Sequence, residues 1–326
     1  MNLKPPFSKD ILYLPDPEKT IENIVDRIKT NVYHTLKRRG AVIGISGGID
    51  SSVTLALTAK ALGNKNVVGL ILPEQDSSPD SKRLALDLAN KFHIQTIEEN
   101  ITEALTGFGC YDRRDRSVKR IISEFNPATD KFKIEIKQRM QDMKLPPIFY
   151  LTVIFQSGKS VSKILPVDAY LHIVAASNFK QRSRMSMLYY HAEARHYAVI
   201  GTPNKHEVEQ GFFVKYGDSG ADVMPIANLY KTQVYQLAEH LGIPREIINR
   251  TPTTDTYTAE QTQEEFFFQL PFHQMDLLWF AFEKGYEPGE VEKVLEIPAE
   301  DILSIFKGFI RKIKSTEYLR MSPIKY

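Results

Sequence analysis

AVIGISGGIDSSVTLALTAKALG, residues 41–63, decides the reading of this chain, because an apolar run there empties into a small-residue turn that opens directly onto a helical pattern. Ala41, Val42, Ile43 and Ile45 form a short β-prone stretch, and Gly47 and Gly48 supply backbone that can take positive φ and carries no Cβ. Backbone N–H groups in such a turn can face an anion, and a helix beginning near Ser51 points the positive end of its dipole at the same spot. Ser46, Ser51 and Ser52 add hydroxyl donors, so the segment reads as a phosphate cradle. Asp50 is the odd member: a carboxylate among phosphates repels them unless a divalent cation lies between, which makes it a magnesium contact. The alternative is a plain Gly-Gly turn in which Asp50 caps the helix. No lysine follows the glycines until Lys60, so this is not a Walker A loop, and no GxGxxG dinucleotide fingerprint is present in it.

Composition sets outer limits. The 326 residues are 42% hydrophobic and 25% charged, an ordinary globular balance for one large domain or two modest ones. A formal net charge of +2 gives no bulk argument for a nucleic-acid partner. Cys110 is the only cysteine, which excludes intramolecular disulfides and CxxC sites. The N-terminal MNLKPPFSKDILYLPDPEKT has prolines and charges where a signal peptide needs an apolar core, and no apolar run approaches the ~20 residues of a membrane span, so a cytoplasmic setting without membrane partners is expected.

Strand and helix patterns alternate along the chain. A helix is expected over 18–39, ended by Gly40, then a strand over 41–45, a helix over 51–62, a strand over 67–72, a helix over 80–92 and a strand near 95–97. A later strand over 197–200 leads into GTPNKHE, and a helix over 229–242 follows. This grammar predicts a doubly wound parallel α/β sheet with helices on both faces, and places ligands beyond the carboxyl ends of its strands. Between about residues 111 and 167 the pattern breaks into RRDRSVKR, FKIEIKQ, IFYLTVIFQ and the turn SGKS, read as a small inserted β-rich subdomain within a single domain spanning 1–326. That insertion is either a solvated excursion or a lid or docking element, and its arginines either approach an anion or form a wet face.

The string SGGIDSS resembles the pyrophosphate loop of the N-type ATP pyrophosphatases, Rossmann-like enzymes that split ATP into AMP and pyrophosphate. NFKQRSRM at 178–185, GTPNKHEVEQGFFVKYGDSGAD at 201–222, PIANLYKTQV at 225–234 and TPTTD at 251–255 together resemble the ammonia-dependent NAD synthetases, in the family's order and over most of the chain outside the insertion. The resemblance implies an amide-forming ligase: ATP adenylates the nicotinate carboxylate of deamido-NAD, and ammonia displaces AMP. It implies ATP contacts from Gly44, Ile45, Ser46, Gly47, Gly48, Ile49, Asp50 and Ser51, and from Thr202, Lys231 and Thr253. It also implies magnesium on Asp50 and Glu207, and deamido-NAD on Arg182, Lys215 and Asp222. Asp50, Lys231 and Asp222 are then the catalytic candidates, Asp222 orienting or deprotonating the amine. A homodimer with a shared active site is implied, supplied by free ammonia or by a separate glutaminase.

The chemistry is sensible on its own terms. A carboxylate meets a polyanionic triphosphate, so cations and a fixed positive charge are needed, and positioning and electrostatics do most of the rest. Each residue also has a plainer reading: Thr202 as a helix cap, Glu207 as a solvated helix residue, Lys231 as a surface lysine, Asp222 as a turn aspartate, and FFFQLPF as core or dimer contact. The tail departs from the family, with TEYLRMSP placing Tyr318 and Leu319 where an SEHKR-like string is usual. Between the insertion and the tail, QTQEEFFFQLPFHQMD keeps Glu264 and Glu265 but puts Phe266, Phe267, Phe268 and Leu270 in place of a Gly-containing turn. A paralogue amidating another acid, another pyrophosphatase such as a tRNA thiolase or the ATPase half of GMP synthetase, and a catalytically silent nucleotide-binding regulator remain as alternatives.

Overall fold

The computed structural model of the chain describes residues 4–137, 148–253 and 256–326, with the side chains of residues 265 and 266 left aside. Thr254 and Asp255 of the TPTTD string, residues 138–147 of the insertion, and the side chains of Glu265 and Phe266 lie outside what is described. In chain order the elements are α1 (Pro17–Lys29), β1 (Ala41–Gly44), α2 (Ile49–Leu62), β2 (Val67–Ile71), α3 (Pro79–Lys91), β3 (Gln95–Glu98), α4 (Thr102–Gly107) and α5 (Cys110–Ile121). They continue with β4 (Lys131–Ile136), β5 (Phe149–Ile154), β6 (Ser160–Ile164), α6 (Val167–Glu193), β7 (Ala198–Ile200), α7 (Lys205–Gln210), α8 (Lys231–His240), α9 (Arg245–Asn249), α10 (Phe272–Lys284), α11 (Pro288–Leu295) and α12 (Ala299–Arg320).

The first sheet is parallel, in the order β3-β2-β1-β7, with Ala41 opposite Val67 on one side and Ala198 on the other. Strand side chains alternate faces, and two separate cores show it. Ala41, Ile43, Val67, Ile71, Ala198 and Ile200 pack with Ile21, Val25 and Ile28 of α1, Leu84 and Leu88 of α3 and Val234 and Leu237 of α8. Their neighbours Val42, Val68, Leu70 and Val199 point the other way, against Leu105, Cys110, Tyr111, Met185 and Leu188. Covered on both faces, β1 and β2 are apolar without alternation, as a parallel strand must be. The expected doubly wound sheet is present.

Two further cores flank it. An antiparallel sheet in the order β4-β5-β6 carries Phe132, Ile134, Leu151 and Val153 against Val118, Ile173 and Tyr257, which is the β-rich insertion. The other core gathers α10, α11 and α12 around Trp279, Phe268, Ile305 and Phe309, and it absorbs much of the FFFQLPF segment.

Two expectations are corrected. The first helix stops at Lys29 and widens into a π-helical stretch over Thr30–Thr35, closed by Leu36 N–H donating to Asn31 O at 2.8 Å. Arg38 N–H returns to Val32 O at 2.8 Å, keeping fully buried Val32 in the core. RRDRSVKR is helical and belongs to α5. Its buried stripe is Cys110, Arg114 and Val118, spaced i, i+4, i+8, and a buried arginine in that stripe hides the helical period from a hydrophobicity reading.

Candidate active site

The loop between β1 and α2 sits at the carboxyl end of a central strand. Gly47 has φ +73°, and a Cβ there would lie 2.6 Å from the carbonyl oxygen of Ser81, so glycine is required twice over. Gly44 by contrast has ordinary room, its Cβ position lying 3.6 Å from Leu188. Ser51 and Ser52 hydroxyls donate to Gly48 O at 3.0 and 2.7 Å, and the Ser46 and Ser51 hydroxyls lie 3.2 Å apart. Gly48 is the N-cap and offers no side chain, leaving first-turn N–H groups of Ile49, Asp50 and Ser51 without helical acceptors. Asp50 therefore does not cap the helix.

What Asp50 does instead is pair with Lys231, whose Nζ lies 2.5 Å from Oδ2, while Asn204 Nδ2 donates to Oδ1 at 3.2 Å. Lys231 opens α8 and is fully buried, which excludes the surface-lysine reading. Burial alone would lower its pKa, but the carboxylates of Asp50 and Glu207 overcome that and raise it, so the ammonium stays charged. Glu207 lies in the first turn of α7, in a capping box: Asn204 N–H donates to its Oε2 at 2.9 Å, and the Asn204 side chain accepts from the amides of His206 and Glu207. Thr202 is therefore not the cap. Burial, and after it the charge of Asp50, pushes the Glu207 carboxyl up to about 8. Asn204 thus touches both carboxylates, and Asp50, Glu207 and Lys231 form one centre at the end of β1.

Arg182 and Lys215 come together elsewhere. Arg182 is exposed on α6 and its Nε donates to Lys215 O at 3.2 Å, while Lys215 Nζ donates to the carbonyls of Tyr318 and Met321 at 2.8 and 2.9 Å. The altered tail is thus what Lys215 holds. Asp222 is exposed, with Oδ2 accepting from Val199 N at 2.8 Å and Oδ1 from the Tyr189 hydroxyl at 2.9 Å. Thr253 bridges antiparallel to Thr262, and the segment beyond it runs along β4, where Phe132 N donates to Thr258 Oγ1 at 2.8 Å.

Sequence reading passed over three groups. Asp218, in the YGDSGAD loop, accepts from Val214 N at 2.7 Å, is pushed up to about 6 by burial, and its charge is felt at Glu207. Asp276 is wholly buried at the N-terminus of α8; a lone acid in the apolar run FHQMDLLWF was the available signal. Behind the β2 loop, Lys180 lies 3.1 Å from Glu74 and 2.6 Å from Asp76, Arg114 pairs with Asp76 and Asp115, and Tyr111 donates to Glu74 at 2.8 Å. Arg114 is therefore structural, and Arg116 and Arg120 pair with Asp112 and Asp168. Among the described residues no group of three or more His, Cys, Asp or Glu can hold a metal, and no helix is long and apolar enough to cross a membrane.

Comparisons with known proteins bear on the same segments. The NAD synthase family model matches residues 20–126 and 135–323. The NH(3)-dependent NAD(+) synthetase of Rhizobium meliloti is 43% identical over 99% of this chain and 97% of its own length, and that of Mesorhizobium japonicum is 44% identical over 95% and 96%. The solved NH3-dependent NAD synthetase of Campylobacter jejuni superposes with a TM-score of 0.62 at 23% identity, covering 96% of this chain and all of the other. An NMN synthetase from Francisella tularensis superposes at 0.65 with 21% identity, covering 95% of this chain and 98% of that one. At that identity both structures speak for the fold. Near-full-length similarity above 40% identity, together with the family match across the loop, α7 and α8, makes this chain a member of the NAD synthase family.

Proposed function

We propose that this protein is an ammonia-dependent NAD synthetase, which adenylates the nicotinate carboxylate of deamido-NAD with ATP and lets ammonia displace AMP. The observation that carries the reading is the buried Lys231 ammonium held 2.5 Å from Asp50 beside Glu207, at the mouth of a glycine loop and a helix N-terminus. In the first step a carboxylate oxygen bonds to the α-phosphorus and the bond to the β-phosphate oxygen breaks, releasing pyrophosphate. In the second the ammonia nitrogen bonds to the acyl carbon and AMP leaves with the oxygen, while one ammonia proton passes to a base.

In this reading the N–H groups of Gly48, Ile49, Asp50 and Ser51 and the hydroxyl of Ser46 receive phosphate, with Gly44, Ile45 and Gly47 shaping the loop. Lys231 supplies a fixed charge that needs no reorganisation as pyrophosphate departs. Thr202 and Thr253 contact ATP, and Arg182, Lys215 and Asp222 meet the acid substrate. Magnesium fits the donors: two carboxylates, without a third ligand among the described residues, suit an ion that takes one or two carboxylates plus phosphate oxygens. Asp50 and Glu207 would hold it, and bound there it would neutralise phosphate charge. A homodimer, a cytoplasmic setting, and free ammonia or a separate glutaminase as nitrogen source complete the proposal.

Isotope exchange between pyrophosphate and ATP tests the first step. Exchange is expected with deamido-NAD and not without an acid; exchange with nicotinate mononucleotide or another acid in its place would keep the chemistry and replace the substrate. Absence of exchange with every acid would favour the silent regulator.

A further inference from the structure

We propose that Asp276 is a positioning residue for the Asp50–Lys231–Glu207 centre, held at the end of a hydrogen-bonded line that runs Lys312–Gln210–His206–Asp276 through the C-terminal core. The inference rests on the reaction proposed above only for its kinetic readout.

Asp276 is wholly buried on α10, yet its side-chain hydrogen bonds among the described residues lead to the two helices that carry the centre. Its Oδ2 accepts from Thr232 N at 2.6 Å and from the Thr232 hydroxyl at 2.5 Å, and its Oδ1 accepts from Lys231 N at 3.3 Å. It therefore serves the orphan amides at the start of α8, where a carboxylate also meets the positive end of the dipole. The same Oδ1 lies 2.5 Å from His206 Nε2, one residue before Glu207 on α7. One carboxylate from a third element thus ties the backbone of Lys231 to the helix of Glu207.

The polarity of the line is fixed from its far end. Lys312 of α12 donates to Phe267 O at 2.9 Å and to Gln210 Oε1 at 3.3 Å. That leaves Gln210 Nε2 to face His206 Nδ1 at 3.0 Å, so Nδ1 accepts and Nε2–H donates to Asp276. A buried carboxylate with four donors has one well-defined position, and so do the helices it joins.

Asp276→Asn reverses one end of the line. With its nitrogen toward Thr232 the amide meets the Thr232 N–H, and with its nitrogen toward His206 it faces a donating ring that must switch tautomer and present Nδ1–H to Gln210 Nε2, another donor. Adding Gln210→Glu restores an acceptor at that point and a partner for Lys312. The test compares the wild type, Asp276→Asn, and Asp276→Asn with Gln210→Glu, by kcat and KM for NAD formation and by acylation of the Lys231 amine in the free protein, mapped by mass spectrometry. In the single variant kcat falls roughly a hundredfold with KM for deamido-NAD unchanged, as a small misplacement of a reacting centre produces, and Lys231 becomes more reactive. The double variant recovers most of both. Wild-type kcat and labelling in folded Asp276→Asn, a fall in kcat without a change in labelling, or a double variant no better than the single would each overturn the proposal. A wild type that makes no NAD contradicts the proposed reaction, while the labelling still decides the role of Asp276. If Asp276→Asn does not fold, Thr232→Val removes one donor from the same carboxylate: a roughly tenfold fall in kcat with raised labelling is expected, and wild-type values overturn the claim.

Discussion

Lys231 and Asp50 lie 181 residues apart in sequence and 2.5 Å apart in space, and each is the other's compensation for burial. Breaking such a pair leaves a charge without its partner, at a cost of about 3–5 kcal/mol. Asp50→Asn is therefore expected to stop adenylation and also to lose about 3 kcal/mol in chemical denaturation, Glu207 remaining to face the ammonium. Reading Asp50 as a magnesium contact accounts for the loss of activity; the ion pair adds the loss of stability. A variant as stable as the wild type would show that the pair is not closed in solution. Gly47→Ala is expected to be worse for folding, since its Cβ would meet the Ser81 carbonyl oxygen at 2.6 Å in a backbone region alanine avoids, and soluble yield and melting temperature check it.

Helices set which charges are tolerated inside. Lys180 on α6 answers Glu74 and Asp76 together, locking the loop after β2 to the helix, so Lys180→Ala should cost about 3–5 kcal/mol by urea denaturation. A cost below about 1 kcal/mol would mean that the cluster is solvated like a surface pair. Lys312 on α12 is the opposite case: burial among Phe267, Phe268 and Gln210 lowers its pKa to about 7, with no carboxylate among the described residues to oppose it. The unfolded chain then binds more protons than the folded one between about 7 and the ordinary lysine value of 10.5, so stability rises with pH across that window and is lost as pH falls through it. Lys312→Met should flatten that slope, measured as denaturation midpoints from neutral to alkaline pH. An unchanged slope would assign the pH dependence to another group.

At the scale of the molecule, the sheet and the glycine loop after β1 were legible because they depend on local signals: apolar runs without alternation, and glycines between strand and helix. Glu207 and Lys231 were legible only through strings resembling a family, since nothing near them in sequence says that they meet Asp50. Asp218 and Asp276 escaped notice because their roles come from burial, and Arg114 because an arginine in a buried stripe looks like a wet face. Strand β4 of the insertion is anchored: Ala259 N donates to Phe132 O at 3.0 Å and Gln261 Nε2 to Ile134 O at 3.0 Å, tying it to the chain beyond Thr253. Phe132→Ala, at a fully buried ring, should cost about 3–5 kcal/mol, and a folded variant with raised KM for ATP would show that the inserted sheet holds the Thr253 segment in place.

The most direct measurement follows the carboxylate oxygen. Deamido-NAD carrying isotopically heavy oxygen in its nicotinate carboxylate is converted with ATP, magnesium and ammonium, and the products are weighed by mass spectrometry. NAD and AMP should appear in equal amounts, with one heavy oxygen transferred to each AMP and none to pyrophosphate. Label in pyrophosphate or inorganic phosphate, or AMP formed without NAD, would contradict adenylation of that carboxylate at the Asp50–Lys231 centre.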